Sequence, residues 1–267
     1  MANLQHAINE LYSTEQVSSS ATAMHHVDPR AKITVTAVFL VCILSMPSYS
    51  LSGLIPFFIF PIIVSARANL SYGVLFRYSL VSLPFVVAVG LFNPIFDRRE
   101  AIVAGNLSIS YGWLSFGSIV IRGLLSVQVA ALLIRTTGFY RLCRALEKMG
   151  LPAVFTTQLL LVFRYLFVLV SEFASMRDAY RSRSYGEGNA SLKLWSRMVG
   201  ALMLRTISRA SRVYDAMISR GFDGHIRSQK GFSWTLSDTA FTCGWSGLLL
   251  FLRMAMPIET LTSYLTQ

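Results

Sequence analysis

Long apolar runs separated by short polar or charged stretches make up most of this chain of 267 residues. Five of these runs predict membrane helices: residues 33–46, 51–64, 72–92, 111–134 and 232–252. A helix needs about 20 apolar residues to cross the hydrocarbon core, so the first two runs predict a hairpin of marginal length. The pattern therefore predicts an all-α, polytopic membrane protein with about five transmembrane helices.

Three further helices are predicted between the fourth and the last of these runs. Residues 135–149 are short, basic and amphipathic, and Gly150–Pro152 ends them. The helix from Ala153 to about Arg181 is apolar in its first half, and we interpret it as lying against or within the inner leaflet. Residues 194–220 follow the helical period, with an apolar stripe opposite three arginines. The stripe is Val199, Leu202, Met203, Ile207, Ala210, Tyr214 and Met217, and the arginines are Arg205, Arg209 and Arg212.

Composition supports the membrane assignment and places one segment. Hydrophobic residues form 54% of the chain and charged residues 14%, so we do not attribute the net charge of +11 to nucleic-acid binding. Residues 135–230 hold 16 of the 24 Lys and Arg but 6 of the 13 Asp and Glu, a net charge of +10, and the positive-inside bias places them in the cytoplasm. The predicted regions are a polar tail (1–27), N-terminal membrane helices (28–134), a cytoplasmic module of amphipathic helices (135–231), and a C-terminal membrane helix with a tail (232–267).

The sequence offers little for catalysis or metal binding. It contains no GxxxxGK[ST] phosphate-binding loop, no HExxH and no GxSxG motif. Its three cysteines are far apart in sequence, which indicates neither a disulfide framework nor a zinc site. Among the four histidines only His25 and His26 are adjacent, and we interpret them as interfacial residues before the first helix. We therefore expect a chain that is not an enzyme and carries no cofactor or metal of its own.

Three charged residues lie inside apolar runs. Arg122 is close to the middle of the fourth run, and Arg164 and Glu172 belong to the helix that begins at Ala153. A charge at membrane depth is costly and normally faces the protein interior or a partner. We expect these three residues to make a subunit contact or a buried ion pair, with a plain carbonyl contact as the alternative for Arg122.

Two helices of the cytoplasmic module end on nearly the same triplet, which we call the signatures. The first is Ser182-Arg183-Ser184 and the second is Ser219-Arg220-Gly221. An arginine at a helix end offers a planar fork of donors that pairs with a carboxylate across an interface, and small neighbours let a partner close around it. The alternative is two exposed helix ends at which the helix dipole favours arginine. The repeated ending favours docking on a soluble partner.

The assembled motifs resemble the transmembrane T component of energy-coupling-factor (ECF) ABC transporters, and most of all its cobalt/nickel branch (CbiQ/NikQ). In that family, signatures that often read Ala-Arg-Gly or Ala-Arg-Ser end two coupling helices, and each arginine docks in a groove of an ATPase. The resemblance implies this role for Arg183 and Arg220, with Arg181 as an alternative to Arg183. Its motifs are Asp28–Lys32, Phe92–Arg98, Arg164–Leu169, Met203–Ala210 and Ala216–Gly224.

The same resemblance implies a function and its partners. The chain is expected to transmit ATP-driven motion of two ABC ATPase domains, which bind the ATP, to a small membrane subunit that captures cobalt or nickel ions. It is expected in the cell membrane, in contact with the lipid bilayer and without nucleic acid. The alternatives are a T component of a vitamin transporter and a membrane scaffold with a basic, lipid-binding helix pair.

Overall fold

The computed structural model describes residues 24, 27–47, 52–96, 100–104, 107–183, 192–226 and 234–265. Most of the predicted tail (1–27) and the His25–His26 pair lie outside these residues. Helices form nearly all of the described part, which confirms the all-α class. In chain order they are α1 Pro29–Leu44, a 3-10 helix Ser52–Phe58, α2 Ile59–Arg67, α3 Tyr72–Gly90, α4 Phe92–Phe96, α5 Tyr111–Thr137, α6 Phe139–Lys148, α7 Ala153–Arg183, α8 Leu192–Ile218 and α9 Leu236–Leu265.

Three stretches of the described residues are long and apolar enough to cross a membrane: Tyr72–Pro94, Gly112–Thr137 and Ala153–Arg183. The first two match the third and fourth predicted spans. The third is α7, which therefore has the length and composition of a span although we interpreted it as an inner-leaflet helix. The total of five spans stays a prediction.

The segment between α4 and α5 contains an element that the sequence analysis did not predict. Strands β1 Glu100–Ala104 and β2 Leu107–Ser110 pair in antiparallel fashion, with Ile102 opposite Ile109. Gly105-Asn106 separates two short runs rich in isoleucine, valine and leucine. Two such runs joined by a glycine-containing dipeptide are typical of a β-hairpin, so the sequence does contain a local signal for this element.

The start of α1 is held by carboxylates. The Asp28 side chain accepts a hydrogen bond from the Arg30 N–H at 2.9 Å and caps the helix, and Pro29 occupies the first turn. The buried Asp238 of α9 accepts from the Asp28 N–H at 2.8 Å. Lys32, also buried, donates to the Thr136 carbonyl at the end of α5 at 2.9 Å. These bonds join α1, α5 and α9 at one end.

The opposite end of α1 is held by arginines. With 16 residues, α1 is about 24 Å long, shorter than the hydrocarbon core of about 30 Å, so its last carbonyls need donors. Arg122 of α5 donates to the Pro47 carbonyl, and Arg253 of α9 donates to the Ser45 carbonyl at 2.7 Å. Between the two ends an aromatic core joins α1 to α2 and α9: Phe39 stacks on Phe60 with ring centroids 5.1 Å apart, and Phe60 meets Trp245 edge-on at 4.9 Å.

The chain forms two compact units. One contains α1 to α5 and α9, within Asn9–Leu142 and Phe232–Gln267, and the other covers Cys143–Gly231 with α7 and α8. The predicted cytoplasmic module (135–231) begins eight residues before the second unit, and its assignment to the cytoplasm stays a prediction. Both signatures, and with them the candidate site, belong to this second unit.

Candidate functional site

The second signature is built into a tight helix end. Gly221 has a φ of 77°, and its N–H donates to the Ile218 carbonyl at 2.9 Å while the Phe222 N–H donates to the Met217 carbonyl at 3.0 Å. This pair of bonds is the Schellman motif, in which the left-handed position takes glycine because glycine has no Cβ to clash. Arg220 stands between the helix and this glycine with its side chain exposed. The glycine of the signature thus has a backbone role, and the arginine is presented at the end of α8.

The first signature lies at the end of α7. Arg183 is the last residue of that helix, and Arg181, Ser182 and Arg183 are all exposed. Ser184 lies outside the described residues. Each signature arginine therefore sits at the C-terminal end of a long helix, where the partial negative charge of the helix end favours a cation and where a partner has access to it.

The serine of each signature is occupied within its own helix. The Ser182 hydroxyl donates to the Ala179 carbonyl at 3.0 Å, and the Ser219 hydroxyl donates to the Asp215 carbonyl at 2.8 Å. Such back-bonding to the preceding turn satisfies the hydroxyl locally. Each signature therefore presents, beside its arginine, a small side chain whose hydroxyl is already bonded.

Helices α7 and α8 run antiparallel, as contacts at three places show. The Thr157 hydroxyl near the start of α7 donates to the Gly224 carbonyl just after α8, at 3.0 Å. Further along α7, Phe173 packs against Trp195 near the start of α8, with ring centroids 5.7 Å apart. Glu172 meets the middle of α8 between these two points. Because the helices are antiparallel, their C-terminal ends and the two signatures point in opposite directions.

Glu172 joins the two helices through a forked ion pair that we call the Glu172 fork. Arg209 approaches one carboxylate oxygen at 2.8 Å and Arg205 approaches the other at 3.4 Å. The Glu172 side chain is 18% exposed, and those of Arg209 and Arg205 are 40% and 60% exposed. A carboxylate with two guanidinium donors has its charge and lone pairs satisfied even where water access is low.

Two clefts separate α7 and α8 on either side of the Glu172 fork. One, of about 480 Å³, is lined mainly by apolar side chains that include Leu161, Val213 and Met217. The other, of about 510 Å³, is lined by the fork itself and by α7 residues that include Ser171, Ser175 and Met176. Arg209 lines both clefts. The two helices are thus joined at a few points rather than along a continuous apolar seam.

The apolar stripe predicted on α8 divides in the structure. Val199, Met203 and Ile207 are exposed, whereas Ala210 and Met217 line the apolar cleft beside α7. Two of the three arginines predicted opposite the stripe, Arg205 and Arg209, contact Glu172 of α7. The arginine side of α8 therefore takes part in the contact with α7, because Glu172 accepts hydrogen bonds from two of its arginines.

The other predicted charged residues do not gather into one site. Arg122 donates to a backbone carbonyl, and the described residues show no ion pair for it. Arg164 is exposed, with its guanidinium 5.9 Å from the ring of its neighbour Tyr165. Of these three residues, Glu172 is the one for which the described part of the chain shows an ion pair between helices. Among the described residues, no group of three or more His, Cys, Asp or Glu is placed to hold a metal ion.

Several residues that join α7 to α8 or to the segment after it were not predicted from the sequence. Arg205 and Arg209 were seen only as members of a basic face, although their spacing of four residues puts them on one side of α8. The glycine at 221 was noted as part of the signature, and its position just after a helix is the usual sign of a Schellman end. Thr157, which ties α7 to the segment after α8, carries no signal in the sequence.

Comparison with known proteins places the chain among membrane transport proteins. Residues 20–231 match the CbiQ family, described as a cobalt transport protein. An uncharacterised protein of Methanocaldococcus jannaschii is 26% identical over 244 residues, which cover 88% of this chain and 83% of that protein. The cobalt transport protein CbiQ of Rhodobacter capsulatus is 31% identical over 96 residues, 34% of this chain and 38% of that protein.

A putative fused cobalt transport protein CbiMQ of Methanocorpusculum labreanum is 31% identical over 90 residues, 33% of this chain and 15% of that protein. The family match extends over most of the chain and includes α1 to α8 with both signatures. Together with the apolar helices long enough to span a bilayer, it identifies a multi-pass membrane protein. The chain belongs to the CbiQ family of cobalt transport proteins.

Proposed function

We propose that this chain is the transmembrane coupling subunit, or T component, of an ECF-type importer for cobalt ions. It binds two ABC ATPase domains, one through Arg183 and one through Arg220, and passes their ATP-driven motion to a small membrane subunit that captures the ion. In this proposal ATP is bound by the ATPases, and this chain is not an enzyme and holds neither a cofactor nor the ion.

The observation that carries the proposal is the placement of the two signatures. Each arginine is exposed at the C-terminal end of one of two antiparallel helices, with a small serine before it whose hydroxyl is already bonded. Two similar projections that point in opposite directions suit two similar grooves on a pair of ATPase domains. An arginine fork can pair with a carboxylate in such a groove through two parallel hydrogen bonds.

The charge distribution supports the same assignment. Both helices belong to the segment with a net charge of +10, which the positive-inside bias assigns to the cytoplasm, where the ATPases reside. The relative named as a fused CbiMQ protein supports an association of a CbiQ-like part with a second transport component. That second component fits the role of the ion-capturing subunit.

The alternatives differ in cargo or in partner. A T component for nickel or for a vitamin would bind the same kind of ATPase but support uptake of another substrate. A membrane scaffold with a lipid-binding helix pair finds support in the exposed apolar residues of α8 beside its arginines. The scaffold would bring no ATPase when it is purified.

The test is the recovery of ATPase with the tagged full-length chain, together with cobalt uptake, in membranes that contain the complete transporter. Arg183→Glu and Arg220→Glu each place an unpaired or like charge in a closed groove, which costs about 2–5 kcal/mol, or about 30-fold or more in affinity. Arg197→Glu is the matched control, because Arg197 is exposed on α8 near its other end. The two signature changes should each lower ATPase recovery and abolish uptake, and the control should change neither.

Two outcomes would contradict the proposal. If no ATPase copurifies with the unchanged chain, the scaffold becomes the better explanation. If both signature variants behave like Arg197→Glu at equal expression, the signatures do not dock. Uptake of nickel or of a vitamin in place of cobalt would keep the coupling role and correct the cargo.

A further inference from the structure

We propose that Glu172 is a positioning residue for coupling: the Glu172 fork fixes the angle at which α7 and α8 cross, and so the distance between the two signature arginines. This inference rests on the proposed function, because it assigns a mechanical role to the contact between the two helices that end in the signatures. Glu172 itself is placed away from both signatures and need not contact an ATPase.

The first argument is the position of the fork along the two helices. Arg183 follows Glu172 by 11 residues, and Arg220 follows Arg209 by the same number. At 1.5 Å per residue, each signature lies about 16 Å along its helix from the fork. Since the helices are antiparallel, the two arms extend in opposite directions from the point where Glu172 meets Arg209. The fork therefore lies midway between the signatures.

The second argument is the small number of other contacts that hold the helices together. Clefts of about 480 and 510 Å³ lie on the two sides of the fork, and both include Arg209 in their lining. Apart from the fork, the Thr157–Gly224 hydrogen bond joins the start of α7 to the segment after α8, and Phe173, next to Glu172, packs against Trp195 near the start of α8. A pair of helices that lacks a continuous packed seam can change its crossing angle without breaking a core, so its angle depends on the few contacts present.

The third argument is chemical. Glu172 accepts from two arginines that are four residues apart, so one carboxylate bonds two successive turns of α8. A single ion pair leaves a helix free to roll about it, whereas two donors from successive turns define an orientation. The fork is therefore suited to set an angle as well as to hold the helices together.

The direct test measures the distance between the C-terminal ends of α7 and α8 in the full-length chain in lipid nanodiscs. Spin labels are placed at Ser182→Cys and Ala216→Cys, both exposed positions near the helix ends, with the exposed Cys243 changed to serine. The unchanged fork should give one narrow distance distribution by pulsed electron resonance. Glu172→Gln, which removes the charge but keeps the size, should broaden that distribution at least about twofold.

Asp178→Asn is the matched control, because Asp178 pairs only locally, with its neighbour Arg177 on the same helix, at 3.2 Å. It should leave the distribution unchanged. The double variant Glu172→Arg with Arg209→Glu restores one opposite-charge pair but leaves Arg205 beside a like charge, so its distribution should stay broader than that of the unchanged fork. If Glu172→Gln does not accumulate, the double variant Arg205→Gln with Arg209→Gln breaks the same contacts from the side of α8.

The functional measurement separates positioning from folding. In the complete transporter, Glu172→Gln should retain the ATPases, since both signatures are intact, but should lower the cobalt taken up per ATP hydrolysed by about threefold or more. A purely structural role would lower recovery and uptake together. An unbroadened distribution in Glu172→Gln, or an unchanged ratio of uptake to hydrolysis, overturns the inference. Failure of Arg183→Glu to release an ATPase would instead overturn the proposed function, whatever the distances show.

Discussion

Replacing Gly221 by alanine should loosen the end of α8 and with it the presentation of Arg220. Gly221 has a φ of 77°, a left-handed conformation that costs a residue with a Cβ about 1–2 kcal/mol. Nothing lies within 4 Å of the position that the Cβ would take, so steric contact adds nothing to this backbone strain. The expected loss of local stability is therefore about 1–2 kcal/mol.

This loss is measurable by hydrogen exchange in a peptide that covers the last turn of α8. A local loss of 1–2 kcal/mol should speed the exchange of the Gly221 and Phe222 amides about 5- to 30-fold, because both amides are bonded only while the Schellman turn is formed. Gly221→Asn should have a smaller effect, because asparagine tolerates the left-handed region better than alanine does. Recovery of the ATPase with the tagged chain should likewise fall more in Gly221→Ala than in Gly221→Asn.

Gly200→Ala provides a control of opposite sign on the same helix. Gly200 lies within α8, and no atom lies within 4 Å of its added Cβ, so alanine there should stabilise the helix by about 0.5–1 kcal/mol. If Gly221→Ala exchanges the amide hydrogens of the last turn of α8 as slowly as the unchanged chain does, the argument from the Schellman turn is refuted. Equal effects of the two substitutions would show that glycine content, and not the left-handed position, decides.

Two predictions concern the membrane helices and use thermal unfolding in detergent. Asp238→Ala should cost about 3 kcal/mol, because it leaves the Asp28 and Thr235 N–H groups without their acceptor; Asp238→Asn keeps one acceptor oxygen and should lose less, so equal losses would contradict this account. Gly123→Ala should cost about 1–3 kcal/mol, since its Cβ would lie 2.7 Å from a methyl group of Val86. The added change Val86→Ala should recover most of that loss, and simple addition of the two losses would count against the predicted clash.

The sequence by itself determined the long helices of this protein and several of their ends. Apolar runs and the positions of proline and glycine located α3, α5 and α7 to within a few residues. These features are local: a cap or a Schellman end depends on residues three to five positions apart, and a membrane span depends on a continuous composition. For the same reason the signature arginines could be located at helix ends from the sequence alone.

The contacts between helices were decided only by the tertiary structure. Arg253 reaches the end of α1 across 208 residues of sequence, Asp238 meets Asp28 across 210, and Glu172 meets Arg209 across 37. The period of a helix shows which residues share a face, but it does not show which face a neighbouring helix will meet. In a membrane protein this limit is strict, because lipid accepts an apolar face as readily as another helix does, so the few polar side chains that need partners choose the contacts.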